Sequence, residues 1–574
     1  SSNNYGIRID PTGQVVTAGG ALSATGHEGI GNTLGFFPYT DSPGIWDDNG
    51  SVQSTSGELS FNADSFWADL AAGGAIATSS TVSFRNLTAG RTIGLDVDMN
   101  TILGAVVASR IVVGRDDLLP DIVQAAAPDG TLVLRAGTAL DLVGSSISLQ
   151  APIVTPGARQ NYRGAVHLGN VTPSDVTLTG SVVRFSSTVD GGGRSLAVIG
   201  GLETAAAVTG LMDLSVSGAS SLAGDVTTTG QQLYGGPVTL NAPLVTLTSP
   251  TGSFGAGVVG GGHSLAIDFG GTTHIDGPSF TGIAALSCGN GGTTTIAGAL
   301  STSGTQSFGD GVTLVGDTTL GSGGGDIVFS GTLDGARNLS LAAGSGLIRF
   351  QSALGSAVPL ASLSIASAWG VTASNTITID GSATGAAPNG LVIAGVGHVD
   401  MQVPGSSVQH CAGSGILLLS SPGSSLGGFT IRDNAAYGIY VSGNTADSVI
   451  VANTVAGNTV GVYLAAAEGL TLGSGNMITG NALYGIYATG WAKRTTTITG
   501  NTIDGTGSGV YGVYLADAKN IHLGQTGAGN LITGSRIGVQ AVGGLLSTTL
   551  TDNRVEGNGS GIVLVDARHA LSLI

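Results

Sequence analysis

From about Gly390 onward, apolar and polar positions alternate in short runs, and the runs return on a beat. A glycine followed by a β-branched residue recurs as Gly415-Ile416, Gly438-Ile439, Gly461-Val462, Gly485-Ile486, Gly512-Val513, Gly538-Val539 and Gly561-Ile562. The interval from one glycine to the next holds within a few positions of a common value. A fixed period of this size marks stacked structural units, and period-2 alternation makes each unit a set of strands. In Tyr437-Gly438-Ile439-Tyr440-Val441, alternation turns Ile439 and Val441 inward and Tyr440 outward. Each coil then has three short strands. The second holds Val449 and Val451, Leu470 and Leu472, or Ile521 and Leu523; the third follows an asparagine. The predicted fold is all-β, a right-handed single-stranded parallel β-helix with about 23–25 residues per coil.

The asparagines Asn453, Asn476, Asn501, Asn530 and Asn553 keep the same beat, with one longer step between Asn501 and Asn530. Stacked, they form a column at one turn, where each side chain satisfies turn backbone and its neighbours above and below. Strand spacing holds while loops absorb the excess: the stretch from Asn501 to Gly512 is longer than that from Asn453 to Gly461. A lone coil buries too little apolar surface to offset the entropy of ordering it, so stacking is required.

A longer repeat lies upstream. Gln160-Asn161-Tyr162-Arg163-Gly164, Gln232-Leu233-Tyr234-Gly235-Gly236 and Gln306-Ser307-Phe308-Gly309-Asp310 are evenly spaced copies, each running on to a Val-x-Leu strand. Their period, near 73, reads as three coils of about 24. Four sections result. Residues 1–75 are an aromatic-rich cap or irregular section, with Phe36, Phe37, Tyr39, Trp46, Phe61, Phe66 and Trp67; a ligand platform is the sharper alternative. Residues 76–157 are β-helix coils, 158–384 the three long repeats, and 385–574 the coils with the Gly-Ile/Val beat and asparagine ladder.

Composition narrows function by exclusion. Glycine is 99 of 574 residues without a third-residue period, and 41% of residues are hydrophobic against 10% charged, so the chain is neither collagen nor disordered. A net charge of −17, with Lys493 and Lys519 the only lysines, argues against nucleic acid and against an anionic membrane surface. No apolar run is long enough to span a bilayer, so no direct membrane insertion is expected. Cys288 and Cys411 are separated by about five coils or ~24 Å along the axis, too far for a disulfide. The chain opens at Ser1 without a signal peptide and stops at Ile574 in mid-pattern. This reads as a mature form or a piece of something longer.

The upstream unit combines Gln-x-Tyr/Phe-x-Gly-x-Val-x-Leu, a Phe-x-Gly/Ser-Thr-Val/Leu-Asp-Gly step (Phe185 to Gly191, Phe329 to Gly335) and a following Leu-x-Val/Leu strand. Over about residues 80–380 it resembles the repeats of filamentous-haemagglutinin-like exoproteins and autotransporter-type adhesins of Gram-negative bacteria. The C-terminal coils resemble the generic right-handed parallel β-helix repeat shared by adhesins and polysaccharide-active enzymes. The resemblance implies a secreted, extracellular protein of a Gram-negative cell surface.

The candidate chemistry is sparse. A β-helix enzyme on polysaccharide needs outward carboxylates about 5–10 Å apart. The candidates are Asp433, Asp504, Asp517, Asp552, Glu556 and Asp566. Asp517 and Asp566 occupy equivalent places, matched by Ala466 in an earlier coil, and Asp433 and Asp552 each precede an asparagine. Turn positions account for all four. The adjacent pairs Asp47-Asp48 and Asp116-Asp117 read as solvated turn residues. Gly321–Phe329 is one imperfect calcium-roll nonapeptide, and His263 and His274 lack partners at zinc spacing. No metal and no cofactor is expected. Tyr440, Tyr463, Tyr487 and Tyr514 fall at one outward position in four successive coils. They read as a stiffening aromatic ladder or a binding stripe for carbohydrate or protein. The sequence therefore predicts a non-catalytic adhesin or structural rod. Its partner is a carbohydrate or protein receptor, or further copies of itself joined end to end or laterally. The alternative is a polysaccharide lyase, hydrolase or epimerase.

Overall fold

The computed structural model describes residues 14–17, 20–25, 33–36, 51–63, 65–68, 75–169, 175–384, 388–507, 509–568 and 571–573. The aromatics Phe37, Tyr39 and Trp46 and the pair Asp47-Asp48 lie outside them; for Phe36, Phe66 and Trp67 only the backbone is described. The fold is a right-handed parallel β-solenoid, in two compact units, Ser1–Gly271 and Thr272–Ile574.

In the first unit the described strands pair in parallel with strands one coil away. Within residues 1–75 the described pieces already do so, with Gln14 opposite Ser51 and Ser51 opposite Ala75. Phe61 is buried and stacks on Phe84 at 5.5 Å. One element departs from the expected strand-and-turn texture of 76–157: an α-helix, Val97–Ala105, capped by Asp96, whose carboxylate accepts the Met99 N–H at 3.0 Å. It buries Met99, Ile102 and Leu103, so an N-cap and one short apolar stripe suffice to replace strand here.

The long repeat is not three coils of 24. Gln160 pairs with Val183, Val183 with Leu202, Leu202 with Ser220 and Ser220 with Val238. Gln232 belongs to another line, through Leu214 to Leu196. Along that line Leu196, Leu214 and Gln232 are successive partners, so tight turns have shortened each coil well below 24. The step from Gln160 to Gln232 is thus three coils and two further strands, and the two copies sit on different faces of the solenoid.

Both glutamines are fully buried, and the aromatic two residues on fills the core beside them. The Tyr162 hydroxyl donates to Gln160 Oε1 at 2.7 Å, and the Tyr234 hydroxyl to Gln232 Oε1 at 3.0 Å. The glutamine Nε2 groups donate to backbone carbonyls, Ile153 O and Thr179 O for Gln160. Inward aromatics stack between coils: Tyr162 on Phe185 at 5.1 Å, and Phe254 between Tyr234 and Phe269.

In the second unit the third copy has Phe308 in the tyrosine place, and buried Gln306 Oε1 has no hydrogen-bond partner. Phe329 stacks between Phe308 and Phe350 at 5.2 and 5.6 Å. Further on, the Gly-Ile beat is one register column: Ile416, Ile439, Val462, Ile486, Val513, Val539 and Ile562 pair in succession. The preceding glycine is sterically required. A Cβ on Gly485 would lie 2.6 Å from both Gly512 O and Ile503 Cγ2. Cys288 and Cys411 are both buried, and no disulfide joins them.

Candidate functional site

Columns of asparagine run along the turns of the second unit. Asn453 donates both its N–H and its Nδ2 to Asn476 Oδ1 at 3.0 Å. Asn476 Nδ2 reaches Asn501 Oδ1 at 2.8 Å, Asn501 reaches Asn530 at 3.0 Å, and Asn530 Nδ2 reaches Asn553 Oδ1 at 2.8 Å. A second column, at the next turn, is formed by Asn434, Asn458 and Asn481. Its sequence signal is an asparagine three or four positions before the Gly-Ile beat, a spacing masked by its loss where Ser535 stands instead.

The six carboxylates are distributed over these turns. Asp433, Asp517, Asp552 and Asp566 have φ of 56, 46, 54 and 45°, a left-handed conformation that Asp tolerates better than most side chains. Ala466, at φ 50°, and Gly443 and Gly490, at 79 and 84°, share the conformation of Asp517. Asp517 Oδ1 accepts the Gly544 N–H at 2.8 Å, and Asp552 Oδ2 accepts that of Gly527 at 2.8 Å. Asp504 accepts the Thr506 N–H, Asp433 pairs with Arg432 at 2.9 Å, and Glu556 pairs with Arg554 at 2.7 Å. Asp504 and Glu556 share one outward column, with Thr533 between them. The structure brings no two of the six onto adjacent coils of one column. Among the described residues no group of three or more His, Cys, Asp or Glu is placed to hold a metal ion. None of their helices is long and apolar enough to cross a membrane.

The tyrosines form a larger array than four. Tyr440 opposes Tyr463, Tyr463 opposes Tyr487, and Tyr487 opposes Tyr514. A second set, Tyr437, Tyr484 and Tyr511, lies three positions earlier on the same strands. Strict alternation turns these inward. The structure turns them outward, because Gly438, Gly485 and Gly512 are buried beside the β-branched residue and the pleat slips by one. The rings interlock. Tyr437 stacks on Tyr463 at 5.0 Å and 18°, Tyr484 on Tyr511 at 5.1 Å and 16°. Within the expected ladder the rings are tilted or edge-on instead, Tyr440 to Tyr463 at 61° and Tyr487 to Tyr514 at 82°. All seven are half-buried. Outward along the strands follow only small residues, Ser442, Ala465, Thr489 and Ala516. Burial first, then the neighbouring phenols, raise the pKa of Tyr463, Tyr484 and Tyr514, so these rings stay neutral. The result is a continuous, interlocked aromatic face.

An open groove of about 480 Å3 in the first unit is lined by Glu58, Arg85, Arg110, Asp116, Asp117 and Arg163 among others. Its charges are internally matched. Arg85 pairs with Glu58 at 2.7 Å, Arg163 with Asp116 at 3.3 Å, Arg115 with Asp117, and Arg110 with fully buried Asp141. Hydrogen bonding from Arg115 holds the Asp117 carboxyl below the ordinary carboxylate range. The Asp116-Asp117 pair is therefore tied to arginine.

With the geometry in hand, residues 365–503 match the family described as right handed beta helix region. The matched stretch includes Tyr437, Tyr440, Tyr463, Tyr484 and Tyr487. No curated protein and no solved structure matches the chain.

Proposed function

We propose that the chain is a non-catalytic recognition solenoid, an adhesin or structural element of a bacterial surface, that binds carbohydrate or protein through its tyrosine face. The observation that carries this reading is the array of seven interlocked rings. Ladder stacking alone would stiffen the coils with any ring; here each ring keeps a phenol hydroxyl beside an apolar plane. Aromatic planes with polar tips are efficient contact surfaces. The small residues outward of them leave room for a partner to lie flat. Secretion and a Gram-negative surface belong to the same reading, supported by the likeness of the upstream repeats and by a polar surface of Thr, Ser and Asn.

The experiment is a glycan array with the wild-type chain and a Tyr463→Ala/Tyr487→Ala variant. Binding that the variant loses supports the reading; array binding that it retains in full sinks it. The enzymatic alternative is favoured by one observation, the groove in which Glu58, Asp116 and Asp117 meet four arginines. Alanine replacement of Asp433, Asp504, Asp517, Asp552, Glu556 and Asp566, and separately of Glu58, Asp116 and Asp117, is assayed on uronic-acid polymers. Turnover that collapses in either set establishes catalysis.

A further inference from the structure

The strand Tyr484–Ile498 carries two of the tyrosines and then breaks register twice, where the strands Tyr437–Asn444 and Ile537–Gly544 break it once at the equivalent corner. Its pairing with Tyr511–Leu523 shifts register between Thr489 and Trp491 and again between Trp491 and Thr496. Between these points, at the corner beyond the tyrosine face, Lys493, Arg494 and Thr495 are exposed while Ala492 is buried. Trp491 there is 63% exposed, unusual for so large an apolar ring. Lys493 and Arg494 follow it, both exposed. Lys519, opposite Trp491 in register, places its Nζ 5.6 Å from the indole centroid.

The charge at this corner runs against the whole chain. The protein has a net charge of −17 and two lysines, Lys493 and Lys519, and both are here with an arginine. Three other arginines of this unit are matched by acids, Arg349 by Asp326, Arg432 by Asp433 and Arg554 by Glu556. No carboxylate lies within ion-pair distance of Lys493, Arg494 or Lys519 among the described residues. Two carboxylates border the corner without an ion pair to these cations: Asp517 accepts the Gly544 N–H, and Glu468 adjoins Gly469, whose N–H donates to Arg494 O at 3.4 Å. Three cations without ion pairs at one corner, one of them over an exposed indole, suit a flat ring that carries a negative charge.

We infer that Trp491, Lys493, Arg494 and Lys519 form an anion-selecting subsite at the edge of the tyrosine face, taking a sugar ring that bears a carboxylate or a sulfate. The ring stacks on Trp491 and the anion pairs with the cations, while uncharged neighbours lie along the tyrosines. This rests on the carbohydrate-binding reading above and adds the charge class of the ligand.

The test uses calorimetry on the full chain with polygalacturonate and with the same polymer fully methyl-esterified, which removes the charge. Dextran sulfate against dextran supplies the sulfate arm. The wild type is expected to bind an acidic member about tenfold more tightly than its neutral counterpart, with the preference falling as salt rises. Lys493→Gln/Lys519→Gln is expected to erase the preference and leave neutral binding unchanged; Trp491→Ala weakens both members of a pair. These residues are on the surface, and an unchanged melting curve checks the fold. A charge preference that survives Lys493→Gln/Lys519→Gln overturns the inference while the tyrosine-face reading stands. Neutral binding that is insensitive to Tyr463→Ala/Tyr487→Ala, or no binding of any polymer, overturns the inference and removes the carbohydrate-binding reading too. If the cations act only in low-salt self-association, seen by sedimentation and lost in the double variant without any polymer binding, the inference is overturned and the corner is a contact between copies.

Discussion

The long repeats of 158–384 and the beat coils of 385–574 solve the same problem with the aromatics on opposite sides of the wall. In the long repeats Tyr162, Phe185, Tyr234, Phe308, Phe329 and Phe350 are interior, and each copy has one buried glutamine to hold the core's polar atoms. In the beat coils the interior is mostly aliphatic, the tyrosines face out, and asparagine columns hold the turns. The difference teaches where function can reside. A ring in the core is committed to packing, whereas a ring on an outer face with small neighbours remains available to a partner.

That contrast can be broken most severely from inside. Phe329→Ala removes the middle ring of a three-ring stack and should cost about 3–5 kcal/mol. Because coils in a solenoid open locally, the readout is hydrogen exchange in the strands Gln306–Phe308 and Leu347–Phe350. Asn476→Ala comes next. It leaves the Asn453 amide and the Gly473 carbonyl without partners and takes one of two donors from the Ile450 carbonyl, a loss of roughly 2–4 kcal/mol, read as a lower denaturation midpoint. Tyr487→Ala on the outer face should cost only about 1 kcal/mol. A loss as large as that of Phe329→Ala would mean that the tyrosines are structural. Phe308→Tyr should stabilise by about 0.5–1.5 kcal/mol by giving Gln306 Oε1 the donor that Tyr162 gives Gln160; Tyr162→Phe is the reverse control.

The smallest effect is on pH dependence. Tyr463, Tyr484 and Tyr514 have raised pKa values when folded, chiefly from burial. Their contribution to stability is intact below the unfolded phenol value of about 10 and declines as pH climbs from there through the folded values. Phenolate absorbance should show midpoints above the ordinary value in the folded chain, returning to it in denaturant. Unshifted midpoints would mean that the face is open to water.

Much of this was legible from spacing. The beat from Gly415 to Gly561 is one register column, and the five asparagines hydrogen-bond in sequence, because a stack converts period directly into neighbourhood. Three things were not legible. The outward turn of Tyr437, Tyr484 and Tyr511 depends on a buried glycine that breaks alternation, and hydrophobic pattern alone assigns them to the core. The second asparagine column is interrupted by Ser535, so its period fails. The helix Val97–Ala105 shares its residue types with the strands around it, and only its Asp96 cap distinguishes it. The carboxylates divide the same way: Asp517 and Asp566 were readable as turn residues from their match to Ala466, whereas the meeting of Glu58 with Asp116 and Asp117 follows from coils whose lengths the sequence does not display.

The displaced copies at Gln160 and Gln232 have a consequence for how such a chain can grow. A cassette that is not a whole number of coils still fits, because each of three walls accepts the same strand. The unit of permissible duplication is then a single strand with its turn, a third of a circuit. Lineages and engineers alike can lengthen this protein one wall at a time, and every insertion short of a complete circuit rotates the new copy to present its surface in another direction.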